Sequence, residues 1–459
     1  MRLGRLFGVL VTLSISWIAP SLASELTDAE IRDYTKALIY APEDGFEAAL
    51  DALVKRGKPD VVAGMIVTMR YRDSDARLAA GISKLTGAKI NNWNDAMLWQ
   101  EQHAEVKPHS SFRAYSEELF AQIDPRFSRF IGTDKTDPSK MKIRLEEIVW
   151  GGVQVDGIPS LDNPKLITAK AADYLLAEDL VFGVSINGDN RAYPLRIMGW
   201  HEMFNETIGG VPVALAYCTL CGSGILFETK VEGRAKPLVF GSSGMLYRSN
   251  KLMFDRETDS LWNQFTGEPV SGKLVDSKIK LKIRPVTITS WKNWLASHAD
   301  TKVLSLDTGF KRDYGSGVVY EDYFGSPDLM FPTIVRDESQ LKRKDYVFGI
   351  RELDVARAWP VDAFTKTHVI NDQFNGRNVV LIGDAMTRTV QAYERGDVTF
   401  VSGKDASSLA AGNAVWTVGD DALRGPDGKS LARLAGHVAY WFAWDGYLGS
   451  NSTLYPDKS

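Results

Sequence analysis

Cys218 and Cys221 are the only cysteines of the chain, and they stand together in Tyr217-Cys218-Thr219-Leu220-Cys221-Gly222. A C-x-x-C of this kind serves one of three chemistries: a thiol–disulfide redox pair, half of a soft-metal site, or a disulfide closing a tight loop. A thioredoxin-type pair needs its first sulfur at a helix N-terminus, where the dipole stabilises the thiolate. Here Val213-Ala214-Leu215-Ala216-Tyr217 enters as a strand and Gly222-Ser223-Gly224-Ile225-Leu226-Phe227 leaves as one, which disfavours that reading. A C-x-x-C-G turn entered from a strand resembles a metal knuckle. Zinc asks for four ligands, whereas copper(I) accepts two or three and favours thiolate, thioether and imidazole. No second knuckle exists, so the rest would come from His201, His298, His368, His437 or methionines such as Met245 and Met253. The expected set is Cys218, Cys221, His201 and His437, with copper before zinc. No histidine follows Cys221, which excludes ordinary c-type haem attachment. A structural disulfide stays open as the alternative, with a modest stabilising effect because the loop is short.

Other residues could join this chemistry or act apart from it. Trp200, Phe204 and Ile208 share one face if Trp200 to Ile208 is a helix, with His201 at its start. An extended return over residues 210–218 would then overshoot His201 by more than about 10 Å, so contact with the sulfurs requires an inclined helix or a curled motif loop. His437 stands among aromatics in His437-Val438-Ala439-Tyr440-Trp441. Arg312, Asp313 and Tyr314 are the ligand-binding candidates of a loop rich in glycine, charge and aromatics, and loops carry binding groups more often than strands. The plainer reading of that loop is an ordered linker with paired charges. Phe240-Gly241-Ser242-Ser243-Gly244 is neither a phosphate loop nor a nucleophile elbow, since it lacks both G-K-S/T and G-x-S-x-G. Twelve tryptophans could line a sugar- or peptide-binding groove, although core packing explains them equally. No nucleophile–base pair or paired carboxylates point to an enzyme.

The elements that carry these residues divide the chain. Residues 1–24 read as a Sec-type signal peptide: Arg2 and Arg5, an apolar run Leu6 to Ile18, and cleavage near Ala23/Ser24. The expectation is a periplasmic or secreted chain with no transmembrane segment after cleavage, in a compartment where disulfides persist. There are 54 Lys and Arg against 58 Asp and Glu, and removal of the leader takes two arginines and no acid. That balance argues against nucleic acid as a partner. Residues 25–135 read as a helical, repeat-like domain, a docking surface for a protein partner. Phe46, Leu50, Leu53 and Val54 form a helical stripe, Gly57-Lys58-Pro59 breaks it, and Asp60 is a candidate cap for Val61 to Met69. A further helix runs from Ser74 to Leu85. From about 140 the texture is β-rich, with turn signals such as Ile186-Asn187-Gly188-Asp189 and Ile208-Gly209-Gly210.

The β-rich part repeats itself. Under one fixed, gapless offset, Phe182-Gly183 falls on Phe348-Gly349, Arg191-Ala192-Tyr193-Pro194 on Arg357-Ala358-Trp359-Pro360, and Asn205-Glu206 on Asn371-Asp372. Cys218 then falls on Asp384 and Cys221 on Thr387, so the second copy keeps the frame without sulfur. The expected class is α+β: helices, then copy 1 over 140–306, a connection over 307–345, and copy 2 over 346–450.

Arg191-Ala192-Tyr193-Pro194-Leu195, Trp200-His201-Glu202, Tyr217-Cys218-Thr219-Leu220-Cys221-Gly222, Phe240-Gly241-Ser242-Ser243-Gly244, Phe254-Asp255-Arg256-Glu257-Thr258 and Asp307-Thr308-Gly309 resemble the domain-of-unknown-function family numbered 3179. The resemblance covers roughly 145 to 450. It implies an exported or membrane-anchored bacterial or archaeal protein, and it implies no activity and no catalytic residue. Thr219 departs from the family's Y-C-P-x-C pattern, which leaves the knuckle less preorganised.

Overall fold

The computed structural model describes residues 25–72, 75–131, 140–330, 334–352 and 355–457. The expected signal peptide and the last residues of the expected helical domain lie outside them. The described chain is α+β, with helices first and several sheets after. Among the described residues no helix is long and apolar enough to cross a membrane.

Helices Asp28–Tyr40, Glu43–Arg56, Val62–Met69, Ala76–Thr86, Trp93–Gln102 and Phe112–Ile123 form the N-terminal part. A capping box between Thr27 and Glu30 starts the first. Phe46, Leu50 and Leu53 are buried in one cluster with Leu38, Met65 and Ile82, so the expected stripe is the core face. Gly57 ends its helix in the left-handed region, φ 72°. Asp60 is not the expected cap. It lies inside a 3-10 turn, Pro59–Val61, and takes a bidentate bond from Arg56 instead.

In the β-rich part, the strands Leu180–Ile186, Asp189–Pro194, Met203–Ile208, Val211–Cys218 and Ser223–Glu228 recur as Tyr346–Glu352, Val355–Pro360, Val369–Phe374, Arg377–Asp384 and Thr389–Glu394. Every boundary is displaced by the same amount, the one that carries Phe182 onto Phe348 in the sequence match. The second hairpin turn also repeats, with Gly209-Gly210 and its counterpart Asn375-Gly376 both in the left-handed region.

The match resumes beyond the sequence signal. Strand Thr287–Ser290, helix Trp291–Ser297 and strand Lys302–Leu304 recur as His437–Tyr440, Trp441–Leu448 and Ser452–Leu454, now under a shorter offset that carries Trp291 onto Trp441. In each copy the first returning strand pairs antiparallel with the copy's opening strand, and the last pairs parallel with the second. This return explains the glycine shared by the two Phe-Gly pairs. A Cβ on Gly183 would collide with the Trp294 ring, and one on Gly349 with the Trp444 ring.

One apolar core lies between the copies. Phe182, Tyr193, Phe204 and Leu215 meet their counterparts Phe348, Trp359, Ile370 and Leu381 there. Two polar devices are repeated as well. Arg191 and Tyr193 bond Glu206 in copy 1, and Arg357 and Trp359 bond Asp372 in copy 2, at 2.8 and 2.7 Å. Asn205 brackets the backbone of Phe240 as Asn371 brackets that of Phe400. These charged and amide groups therefore belong to the frame.

The expected helix from Trp200 to Ile208 is two elements. Helix Leu195–His201 ends at Glu202, and Met203–Ile208 is a strand. Spacing of four residues also keeps parity along a strand, and this strand is buried on both faces: Phe204 and Ile208 enter one core, Met203 another. Periodicity alone does not separate these cases.

Candidate functional site

Glu202 organises a cluster in copy 1 that has no counterpart in copy 2. It stands at the end of helix Leu195–His201 with φ 54°, uncommon for a residue with a side chain. This left-handed residue sends His201 and Glu202 in different directions. The Glu202 carbonyl accepts from Tyr217 N at 2.8 Å, which holds the turn against the strand leading to Cys218. Its carboxylate accepts from Thr219 Oγ1 at 2.8 Å and from Lys251 Nζ at 3.0 Å. Glu202 is 7% exposed and Lys251 4%, so this is a buried ion pair. Such a pair persists only when each charge answers the other. Thr219, the departure from proline, thus supplies a hydroxyl that ties the pair to the loop between the cysteines.

Cys218 and Cys221 are joined as a disulfide, with Cα atoms 5.2 Å apart. The first ends strand Val211–Cys218, and strand Ser223–Glu228 starts just after Gly222, so the motif itself opens no helix; the start of helix Trp441–Leu448 packs against both cysteines through Tyr440, Phe442 and Ala443. Gly222 has φ 61°, and a Cβ there would press on Tyr346 and Tyr440, at 3.0 and 3.2 Å. The glycine of C-x-x-C-G therefore serves a left-handed turn under two aromatic rings. Cys221 is further held by Tyr440 N, which donates to its carbonyl at 2.8 Å, and its sulfur lies 3.0 Å from the Ser249 carbonyl.

Both cysteines, Glu202 and Lys251 line one pocket of about 90 Å³. Its other walls include Tyr320, Tyr323, Leu329, Met330 and Phe442. Tyr323 OH donates to the Leu220 carbonyl at 2.7 Å, and Lys344 Nζ sits 3.7 Å over the Tyr323 ring. The connection between the copies thus covers the disulfide turn. The N-terminal helices brace that connection: Asn94 exchanges two hydrogen bonds with the Val335 backbone, and Glu101 pairs with Arg336.

The candidates read from the sequence fall in three places. His201 is fully buried and does not line the pocket. Its Nδ1 bonds the Pro159 carbonyl at 2.9 Å and its Nε2 the Tyr314 hydroxyl at 2.6 Å. Thr308 continues this chain to Tyr314 at 2.6 Å, so two candidates chosen separately, His201 and Tyr314, meet. Burial lowers the His201 pKa, opposed by the bond to Pro159 and assisted by the charge of Arg312. Arg312 lies over the Trp200 ring at 5.6 Å, and the Asp313 carbonyl accepts from Trp200 Nε1 at 2.8 Å. His437 lies elsewhere, against Phe265 and Trp444, where burial and the Arg351 charge hold it well below its ordinary pKa. Met253 packs in an apolar cluster away from the cysteines, whereas Met245 packs in another and also lines the cysteine pocket. Among the described residues no group of three or more His, Cys, Asp and Glu is placed to hold a metal ion.

Glu202 and Lys251 were not singled out by sequence. The available signal was a lysine inside Asn250-Lys251-Leu252-Met253-Phe254, a strand whose every residue is buried. A charge in such a strand requires a buried partner.

Residues 155–451, more than half of the chain, match the family described as "Protein of unknown function (DUF3179)". No curated protein and no solved structure matches the chain.

Proposed function

The chain belongs to the DUF3179 family, whose description carries no activity, and from the site itself we propose that it is a binding module for a small ligand. The observation that carries this reading is the buried Glu202–Lys251 pair opening on the disulfide-walled pocket. The pair offers a polar ligand group one donor and one acceptor side by side, out of bulk water, where hydrogen bonds to charged groups are strongest. Leu329, Met330 and Phe442 receive its apolar part. In this reading the disulfide shapes one wall and is held oxidised by export, which the leader over residues 1–24 suggests.

Soft-metal binding is a further use of the same sulfurs. Copper or zinc would require the disulfide to be reduced first, and Met245 and Met330 are the thioethers that line the pocket. Native mass spectrometry of the protein purified from its own cells tests the ligand reading. A small molecule retained by the native chain and lost from the Glu202→Gln/Lys251→Met double variant is the expected result. Retention by that variant, or an empty native chain that also ignores a fragment library, overturns it.

A further inference from the structure

Both cysteines line the pocket, and as residues they are unequally buried. Cys218 keeps 5% of its surface and Cys221 1%. Cys221 is fixed from behind by Tyr440 N and the Ser249 carbonyl, whereas Cys218 ends its strand at the pocket wall. The Lys251 ammonium opens on the same space, and Glu202 holds it there. The pair carries no net charge, and what it offers a thiolate in the pocket is the remaining N–H donors of the ammonium. Closing the turn does not by itself require sulfur, because copy 2 closes its equivalent with Asp384 and Thr387.

We propose that the Cys218–Cys221 disulfide is exchangeable and that the pocket takes a small-molecule thiol, an inference that rests on the pocket being a ligand site. The thiolate of the ligand attacks Cys218 Sγ. A ligand–Cys218 disulfide forms as the Cys218–Cys221 bond breaks, and Cys221 leaves with the electron pair as a thiolate in the pocket that Lys251 also lines and takes a proton from water. A second thiol attacks the ligand sulfur of the mixed disulfide and releases Cys218. Two ligand thiols thereby become one ligand disulfide, and the protein gains two electrons and two protons. The space and the tyrosine cover select thiols of a few heavy atoms; a cysteine on a folded protein would have to displace Tyr320 and Tyr323.

Cysteamine and its disulfide, cystamine, are suitable probes with the full chain. In Cys221→Ser, cystamine modifies Cys218 at least about tenfold faster than it modifies Cys221 in Cys218→Ser, as read by mass spectrometry. In the wild type, cysteamine reduces the folded protein, and Glu202→Gln/Lys251→Met slows the reaction about tenfold with its circular dichroism unchanged. A disulfide that cysteamine reduces only in denaturant, or equal labelling of the two sulfurs, overturns exchange. An inert disulfide in a protein that still retains its non-thiol ligand in the native mass spectrum defeats exchange alone. Exchange at the same rate in wild type and double variant defeats the ligand pocket as its basis.

Discussion

The turn over residues 218–221 and its counterpart over 384–387 occupy the same place in two copies of one frame, and they are built differently. Both are entered from matching strands, and both are followed by a left-handed residue, Gly222 at φ 61° and Arg388 at φ 55°. Both are anchored by the same backbone bond, Tyr217 N to Glu202 O at 2.8 Å and Gly383 N to His368 O at 3.0 Å. Copy 2 closes its turn with the Asp384 carboxylate, which accepts from Met386 N at 3.0 Å and Thr387 Oγ1 at 2.8 Å. Met386 is 93% exposed there. Copy 1 has a disulfide, a buried ion pair and a cover of tyrosines. The backbone turn is thus what the frame demands, while the sulfur, the buried charges and the cover are additions to one copy. Groups beyond the needs of the frame mark the site.

The largest expected effect comes from splitting the charge pair. Lys251→Met alone leaves the Glu202 carboxylate buried without its cation, at a cost of about 3–5 kcal/mol in urea unfolding. The Glu202→Gln/Lys251→Met double variant recovers most of that loss, whereas His368→Ala at the counterpart of Glu202 stays within about 0.5 kcal/mol. Equal costs for Lys251→Met and His368→Ala would erase the distinction between the turns.

A symmetric pair of variants probes the shared frame. Gly183→Ala and Gly349→Ala each force a methyl into a tryptophan ring and should each cost about 3 kcal/mol. A loss confined to one copy would break the claim that the two returning helices seat alike.

Removing both sulfurs with Cys218→Ser/Cys221→Ser should cost about 2 kcal/mol by loop-closure entropy. Asp384→Ala, which removes the polar closure of copy 2, should cost about 1 kcal/mol. A change of pH has an effect of similar size. His437 takes the place of Thr287 in the repeat, and its folded pKa is depressed by burial. Its contribution is complete above the unfolded value of about 6.5 and is lost as pH falls toward the folded pKa. Between pH 6.5 and 5.5 the wild type should therefore lose about 1 kcal/mol more than His437→Phe, measured by urea midpoints.

Much of this frame was legible in the residues. Phe-Gly, Arg-Ala-aromatic-Pro and Asn-acid pairs marked the duplicated unit and its offset, because glycine, proline and paired polar groups answer backbone and packing constraints. The returning elements were not legible, because the offset between the copies shortens before Thr287 and the match shrinks to Trp291 and Trp294 against Trp441 and Trp444. The segment Met203–Ile208 was misread as helix because a strand buried on both faces has no alternation to show. The cysteines stood out by spacing, but Lys251 lies 49 residues from Glu202 in sequence, and only the packed sheets bring the two together. The meeting of His201 with Tyr314, 113 residues apart, was hidden for the same reason.

Ligand-observed saturation-transfer NMR with a library of small polar fragments, run on three proteins side by side, tests the pocket most directly. A set of fragments bound by the wild type, retained by Asp384→Ala/Thr387→Ala, and lost from Glu202→Gln/Lys251→Met is the expected result. Fragments that bind all three alike, or that disappear only when the turn of copy 2 is altered, would contradict it.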